Sequence, residues 1–260
     1  MITISIENRG RVKATKSGEE EVYLIYKDFY AEEDEITIAF PEPGYYQVQT
    51  DIALLPALLW CEGTYYMPVP AGDLKLPYYP YAFSGDIHLV TVRRAREKEI
   101  TNYRNLALNP ADWHGNRAMY PHTHANVETR GESVFASRNA VDGLKAADSH
   151  GLFPWSSWGI NRNPEAEITV DFGRPVDIDL LALYTRADFP HDAWWTEGSV
   201  RFSDGSEIKL GLSKKDGAQT FPVDKKGITS LTLFRLVKAD DPSPFPALTQ
   251  IEAWGTESGR

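Results

Sequence analysis

The sequence has little cysteine, little basic charge and no long apolar run. Cys61 is the single cysteine among 260 residues, so an internal disulfide is impossible and a zinc site built on thiolates is excluded. The formal net charge is -10, whereas binding to nucleic-acid phosphates needs a basic face. No apolar run reaches the length that spans a bilayer. We therefore expect no nucleic-acid partner and no membrane insertion.

Signals for secretion and for common catalytic folds are also missing. Residues 1–7 alternate like a strand and contain no basic region, apolar core or cleavage site of a secretory signal. We expect a cytoplasmic protein, although a secreted protein whose signal had been removed would look the same. The chain has neither a glycine-rich phosphate loop nor a Gly-x-Ser-x-Gly elbow.

Strand patterns fill the first hundred residues. Ile2, Ile4 and Ile6 alternate with polar residues, and residues 85–92 alternate in the same way. Such alternation is typical of strands with one buried face. Short strands at this spacing predict an immunoglobulin-like β-sandwich over residues 1–98. A charged run at residues 93–99 follows and marks the end of this part, so a linker is predicted over residues 99–104.

The remainder of the chain has a different spacing. A loop-rich section comes first, and evenly spaced strand segments follow it, as at residues 166–172 and 178–184. This order predicts a jelly-roll β-sandwich over residues 105–257. The predicted fold class is therefore all-β, with two domains.

Four motifs in the second part resemble the discoidin, or coagulation-factor (F5/8) type C, domain, a galactose-binding-like jelly roll. They are residues 105–107, the Ala-x-x-Ala-x-Asp-Gly-like turn at 136–143, the strand and turn at 168–176, and the closing strand at 250–255. The resemblance implies a binding module. Many such domains bind carbohydrate at loops on one end of the sandwich, and others bind lipid head groups or proteins.

The resemblance also implies a structural calcium ion under those loops. Carried over residue by residue, its ligands are the Asp142 and Glu252 carboxylates, the Asn139 carbonyl and Ser149, and such hard oxygens suit calcium. The chain departs from the family at Leu144, where an asparagine is usual. An Asx-turn between Asp142 and its own backbone is the alternative.

Two loop clusters, at residues 149–162 and 186–195, carry the candidate sugar-binding residues. A sugar presents an apolar ring face to an aromatic side chain and hydroxyls to charged planar groups. The candidates are His150, Trp155, Trp158, Arg186, Asp188, His191, Asp192, Trp194 and Trp195. Asn161 and Arg162 either join this site or cap a turn. The alternatives are that the tryptophans fill the end of the sandwich, and that Arg186 pairs with Asp188.

The histidines suggest a different kind of site. His122, His124, His150 and His191 would bind a transition metal if the fold brought them together, because neutral imidazole suits zinc, copper, iron and nickel. A metal with an open coordination position would make the protein a sugar-processing or hydrolytic enzyme.

The sequence as a whole favours a non-catalytic carbohydrate-binding protein, with a sugar as its partner. The metal-dependent enzyme is one alternative. A structural or interaction subunit, whose tyrosine-rich first domain meets a partner, is another, and homo-oligomer formation is left open.

Overall fold

The structure, a computed structural model, describes residues 1–148, 150–187 and 193–259. Nearly all regular structure in these residues is β, which confirms the predicted all-β fold. The only α-helix among them, α1 (Glu97–Thr101), has five residues. No helix in this part of the chain is long and apolar enough to cross a membrane.

Two sheets enclose the first hydrophobic core. The strands are β1 (Ile2–Asn8), β2 (Arg11–Gly18), β3 (Glu21–Tyr26), β4 (Asp34–Ala39), β5 (Gly44–Gln49), β6 (Ala57–Cys61), β7 (Thr64–Pro68), β8 (His88–Arg94) and, much later in the chain, β10 (Met119–Tyr120). One sheet has the order β2-β1-β4-β7 and the other the order β10-β6-β5-β8-β3. Ile2, Ile4 and Ile6 are fully buried, because alternate residues of a strand point to one face. The immunoglobulin-like topology of this sandwich stays a prediction.

The chain returns to the first sandwich after leaving it. Met119 pairs with Cys61 and Tyr120 with Trp60, so β10 adds a strand beside β6. Met119 and Ala118 belong to the first hydrophobic core. Residues from the segment predicted for the second domain thus complete the first one.

A single antiparallel sheet forms the second sandwich. Its strands are β9 (Arg104–Asn105), β11 (His122–Ala125), β12 (Trp158–Gly159), β13 (Ile168–Thr185), β14 (Trp195–Phe202), β15 (Glu207–Gly211), β16 (Gln219–Lys238) and β17 (Ala247–Glu257). The main order is β12-β17-β13-β16-β14-β15, with β11 beside β13 and β9 beside β17. Register shifts interrupt the β13–β16 pairing at three places. Such bulges bend long strands, so the sheet can fold around its own core.

Four short 3-10 helices lie in the connections between strands in the described residues. They are Gly72–Lys75, Thr129–Gly131, Ser133–Phe135 and Ser137–Ala140.

A buried carboxylate joins the two sandwiches. Glu257, at the end of β17, is 2% exposed. Its Oε2 accepts a hydrogen bond from Tyr45 Oη of the first sandwich at 2.7 Å. Arg174 donates to its Oε1 at 2.9 Å, and Arg104 pairs with it as well.

Candidate functional site

Three of the candidate tryptophans are buried rather than exposed at the surface. Trp158 and Trp195 are 0% and 1% exposed, and Trp155 is 8% exposed. The Trp158 indole donates its N–H to the Val127 carbonyl at 3.0 Å. The expectation of an exposed indole platform is therefore corrected. Strand pairing turns Trp158 and Trp195 towards the second hydrophobic core, whereas Trp155 packs with Val134 and Phe135 in a smaller buried cluster. Trp194 is partly exposed, with the Lys214 ammonium 5.3 Å from its ring centre.

The two loop clusters do meet, but at a buried contact. Arg186 is 1% exposed and donates from Nη1 to the Trp155 carbonyl at 2.6 Å. Its backbone N–H bonds the Ala247 carbonyl at 2.9 Å. Arg186 thus ties one loop to the other and is not an open sugar ligand in this arrangement. The predicted members Asp188, His191 and Asp192 lie outside the described residues.

Most of the oxygens expected to bind calcium already accept hydrogen bonds from groups of the protein itself. Asp142 Oδ1 accepts the Leu144 N–H at 2.8 Å, which is the Asx-turn. Gln250 Nε2 lies 2.6 Å from the Asn139 carbonyl and 2.7 Å from Asp142 Oδ1. The amide group thus occupies the place where these two oxygens would face a cation.

Both carboxylate oxygens of Glu252 also contact groups of the protein itself. Its Oε1 pairs with the Lys145 ammonium at 2.5 Å, and its Oε2 accepts the Trp254 indole N–H at 2.8 Å. The donor groups around these residues therefore do not fit a calcium ion as arranged here. The fourth proposed ligand, Ser149, lies outside the described residues, so the calcium site stays a prediction.

The described histidines do not converge. His122 Nδ1 bonds the Asp112 carboxylate at 2.7 Å within the protein, and His150 lies edge-on to Trp155 at 5.5 Å between ring centres. Burial lowers the pKa of His124, with the positive charge of Arg117 adding to the effect. No group of three or more His, Cys, Asp or Glu side chains within 1–148, 150–187 and 193–259 is placed to hold a metal. The remaining member of the predicted set, His191, is not among these residues.

An open cavity lies at the end of the second sandwich where β12 and β17 begin. We call it the end cleft, and its volume is about 110 Å³. Its lining consists of Thr129, Arg130, Phe135, His150, Gly159, Ile160, Asn161, Arg162, Phe245, Pro246 and Ala247. Only His150 belongs to the predicted ligand-binding set, and Asn161 and Arg162 were the residues predicted either to join the site or to cap a turn.

Three residues around the end cleft have unusual backbone conformations. Arg130, Asn161 and Arg162 have φ values of 54°, 49° and 60°, in the left-handed region that side-chain-bearing residues seldom adopt. Thr129 Oγ1 accepts the Asn161 N–H at 2.9 Å and helps to hold the turn. A Cβ on Gly159 would lie 2.6 Å from that same oxygen, so this close approach requires glycine. Clustered strain of this kind is common at binding sites.

Two guanidinium groups of the end cleft lie against phenyl rings. The Arg162 guanidinium carbon is 4.4 Å from the ring centre of Phe245, and that of Arg130 is 5.5 Å from Phe135. Arg130 also donates from Nη2 to the Glu132 carboxylate at 2.8 Å. Stacking fixes the plane of a guanidinium and leaves its N–H edge available for planar, bidentate contacts.

The sequence contained a signal for Phe245 that the loop-cluster argument missed. Phe245 stands between Pro244 and Pro246 directly before β17. An aromatic residue between two prolines is held in an extended loop and cannot turn freely into the core. Arg130 has no comparable local signal, because its place beside the cleft depends on the packing of the whole loop.

Comparison with known proteins finds similarity among solved structures only. No family model matches the chain, and no curated protein does. The chain is similar to chitosan-binding module 1 of a chitosanase/glucanase from Paenibacillus sp. IK-5, with 17% identity over 58% of this chain and 99% of that one, and a TM-score of 0.41. It is also similar to a fucose-binding module from Streptococcus pneumoniae, with 16% identity over 59% of this chain and 99% of the other, and a TM-score of 0.39.

A third similar structure is the family 32 carbohydrate-binding module of C. perfringens NanJ in complex with galactose. Identity is 13% over 51% of this chain and 91% of that one, with a TM-score of 0.37.

Proposed function

We propose that the protein is a non-catalytic carbohydrate-binding protein and that the end cleft is its sugar site. The observation that carries the proposal is the Arg162–Phe245 stack at the edge of an open cavity. Arg162 is exposed, and its guanidinium makes no hydrogen bond to another described residue. Its N–H donors are thus available for neighbouring hydroxyl groups of a ligand.

The other groups of the end cleft suit the same ligand class. Phe245 and Phe135 offer apolar ring surface to the C–H face of a sugar. Asn161 and His150 add side chains that both donate and accept hydrogen bonds, as hydroxyl groups require. Carbohydrate binding at loops on one end of the sandwich is also what the discoidin-like motifs implied.

Titration calorimetry against a panel of neutral and acidic glycans tests the proposal. We expect Arg162→Ala and Phe245→Ala each to weaken binding by about tenfold or more, because each removes one member of the stack. Both substitutions lie on exposed or half-buried loop positions, so the melting temperature should change little.

Arg201→Ala is the matched control. Arg201 also stacks on a phenyl ring, that of Phe234 at 4.2 Å, but it lies on β14 and does not line the end cleft. Unchanged affinity in this variant is the expected result. Binding of no glycan, or equal loss in all three variants, would show that the end cleft is not a sugar site.

A further inference from the structure

A second cavity lies between the two sandwiches, and residues of both line it. We call it the interdomain pocket, and its volume is about 280 Å³. Its lining consists of Ala53, Leu54, Leu55, Pro77, Tyr78, Tyr79, Pro110, Arg138, Asp142, Gly143, Leu144 and Phe153. None of these residues belongs to the end cleft.

The walls of the interdomain pocket are apolar and closely packed. Tyr79 of the first sandwich and Phe153 of the second meet edge-to-face, with 5.8 Å between ring centres. On the other side, Leu55 approaches Gly143 so closely that a Cβ there would lie 2.8 Å from Leu55 Cδ1. Gly143 also has φ +87°, so glycine is needed for both reasons. Close packing of the two sandwiches therefore forms the walls of the pocket.

Asp142 supplies a hydrogen-bond acceptor to the pocket. Its Oδ1 is engaged by the Leu144 N–H and the Gln250 amide. Its other oxygen, Oδ2, accepts no hydrogen bond from the described residues.

Arg138 supplies hydrogen-bond donors to the same pocket. It is 5% exposed, and Tyr78 covers one face of the guanidinium at 4.5 Å. Nε, Nη1 and Nη2 donate to the Asp112 carbonyl, Asn139 Oδ1 and the Pro110 carbonyl, at 3.0, 3.1 and 3.3 Å. A guanidinium has five N–H groups, so one remains on each terminal nitrogen.

A half-buried carboxylate oxygen beside the buried N–H donors of Arg138 determines which ligands suit the pocket. A hydroxyl group both donates and accepts, so neighbouring hydroxyls can satisfy Asp142 Oδ2 and the spare Arg138 N–H groups together. The Arg138 guanidinium and the Asp142 carboxylate already offset each other in charge. A charged ligand would add an unpaired charge to the pocket, and burying that charge would cost free energy. The apolar walls suit the C–H surface of a saturated ring.

From these observations we propose that the interdomain pocket binds a neutral cyclic polyol, such as a cyclitol or a monosaccharide, through Asp142 and Arg138. The site differs from the end cleft in its residues and includes the first sandwich in ligand binding. A ligand there contacts both sandwiches at once and holds them together.

The test is titration of the full chain with myo-inositol and a set of neutral monosaccharides, followed by calorimetry and by NMR of labelled leucine methyl groups. We expect shifts at Leu54 and Leu55 that saturate. Asp142→Asn retains the Oδ1 acceptor and replaces Oδ2 with an amide donor, so affinity at this pocket should fall about tenfold or more.

Ala53→Trp is the second variant, because Ala53 is exposed at the mouth and an indole there fills the cavity. It should abolish the Leu54 and Leu55 shifts without lowering the melting temperature. Arg162→Ala, which disables only the end cleft, should leave these shifts unchanged. The proposal is overturned if no ligand of the set shifts Leu54 or Leu55, or if both pocket variants bind as the unchanged protein does.

Discussion

At the residue scale, Glu257 shows how a single buried charge holds two sandwiches together. Its carboxylate pairs with Arg174 and Arg104 and accepts the Tyr45 hydroxyl. Neighbouring arginines keep the pKa of Glu257 below its usual range, although burial alone would raise it. Loss of this charge leaves two guanidinium groups without their partner.

We therefore expect Glu257→Gln to lower the free energy of unfolding by about 3–5 kcal/mol, the usual cost of breaking a buried ion pair from one side. Urea unfolding followed by fluorescence measures this loss. Glu19→Gln, at an exposed position of the first sandwich, is the control and should have little effect. Equal midpoints for the two variants would mean that the ion pairs contribute nothing net.

Asp142 predicts a pH dependence of stability in the absence of ligand. Burial raises its pKa from 3.8 to about 7. Because the folded pKa is the higher one, the folded state holds the proton more tightly. The stabilisation that comes from the protonated Asp142 carboxyl is therefore complete below pH 3.8 and is lost as pH rises through about 7.

The measurement is the difference in unfolding free energy between the unchanged protein and Asp142→Asn at several pH values. We expect the unchanged protein to lose stability relative to the variant between about pH 4 and pH 7, because asparagine does not titrate. A constant difference over this interval would show that the carboxyl has an ordinary pKa.

At the scale of elements, the short strand β12 contributes its tryptophan side chain to the second hydrophobic core and not to the protein surface. Trp158 on β12 pairs with Leu248 of β17, and its indole lies in the second hydrophobic core. Trp194 lies just before β14 and is only partly buried. The two tryptophans therefore differ in what their removal should do.

Trp158→Ala should cost about 3–5 kcal/mol of stability, because it leaves a large cavity. Trp194→Ala should cost about 1 kcal/mol or less. Thermal melts of the two variants test this, with glycan binding measured below the melting temperature of each. A melting temperature for Trp158→Ala close to that of the unchanged protein would place its indole at the surface after all.

The side chain of Lys145 holds the loop after Asp142 to strand β17. Lys145 pairs with Glu252 of β17 and lies 4.9 Å from the ring centre of Tyr184 on β13. The ammonium group takes the place at Glu252 that the discoidin-like motif assigned to calcium.

We expect Lys145→Met to lower the unfolding free energy by about 1–3 kcal/mol, since Glu252 is 4% exposed and loses its charged partner. Millimolar Ca²⁺ should not raise the melting temperature of the unchanged protein. A rise of several degrees on adding Ca²⁺, reversed by a chelator, would restore the calcium site that the sequence predicted.

At the scale of the whole molecule, the two sandwiches share chain segments. Strand β10 pairs with β6, although α1 and β9 come between the first sandwich and β10 in the chain. Without β10, the edge of β6 is left unpaired, and exposed edges favour association between molecules.

A fragment of residues 1–98 should therefore be less stable and more prone to aggregate than a fragment of residues 1–121, which keeps β10. Thermal melts and light scattering of the two fragments provide the comparison. Equal melting temperatures would show that the first sandwich is complete at residue 98.

The all-β fold and the strand positions could be predicted because a strand repeats every two residues. Ile2, Ile4 and Ile6 report this period locally, and their burial follows from it. Local sequence likewise predicted the Asx-turn at Asp142, as the alternative to a calcium site. The binding residues were harder to predict. Trp158 and Phe245 are both loop-flanking aromatics, and only the pairing of β12 with β17 buries the first while leaving the second beside an opening.

The amino-acid sequence alone determined that this protein is built from strands, because side-chain periodicity and turn residues act over a few neighbours. Tertiary structure decided which aromatic rings face water, which arginines keep free donors, and that a late strand completes the first sandwich. The physical reason is that exposure and hydrogen-bond partners depend on segments far apart in the chain, such as Leu55 with Gly143 or Tyr45 with Glu257. No local pattern encodes those distances.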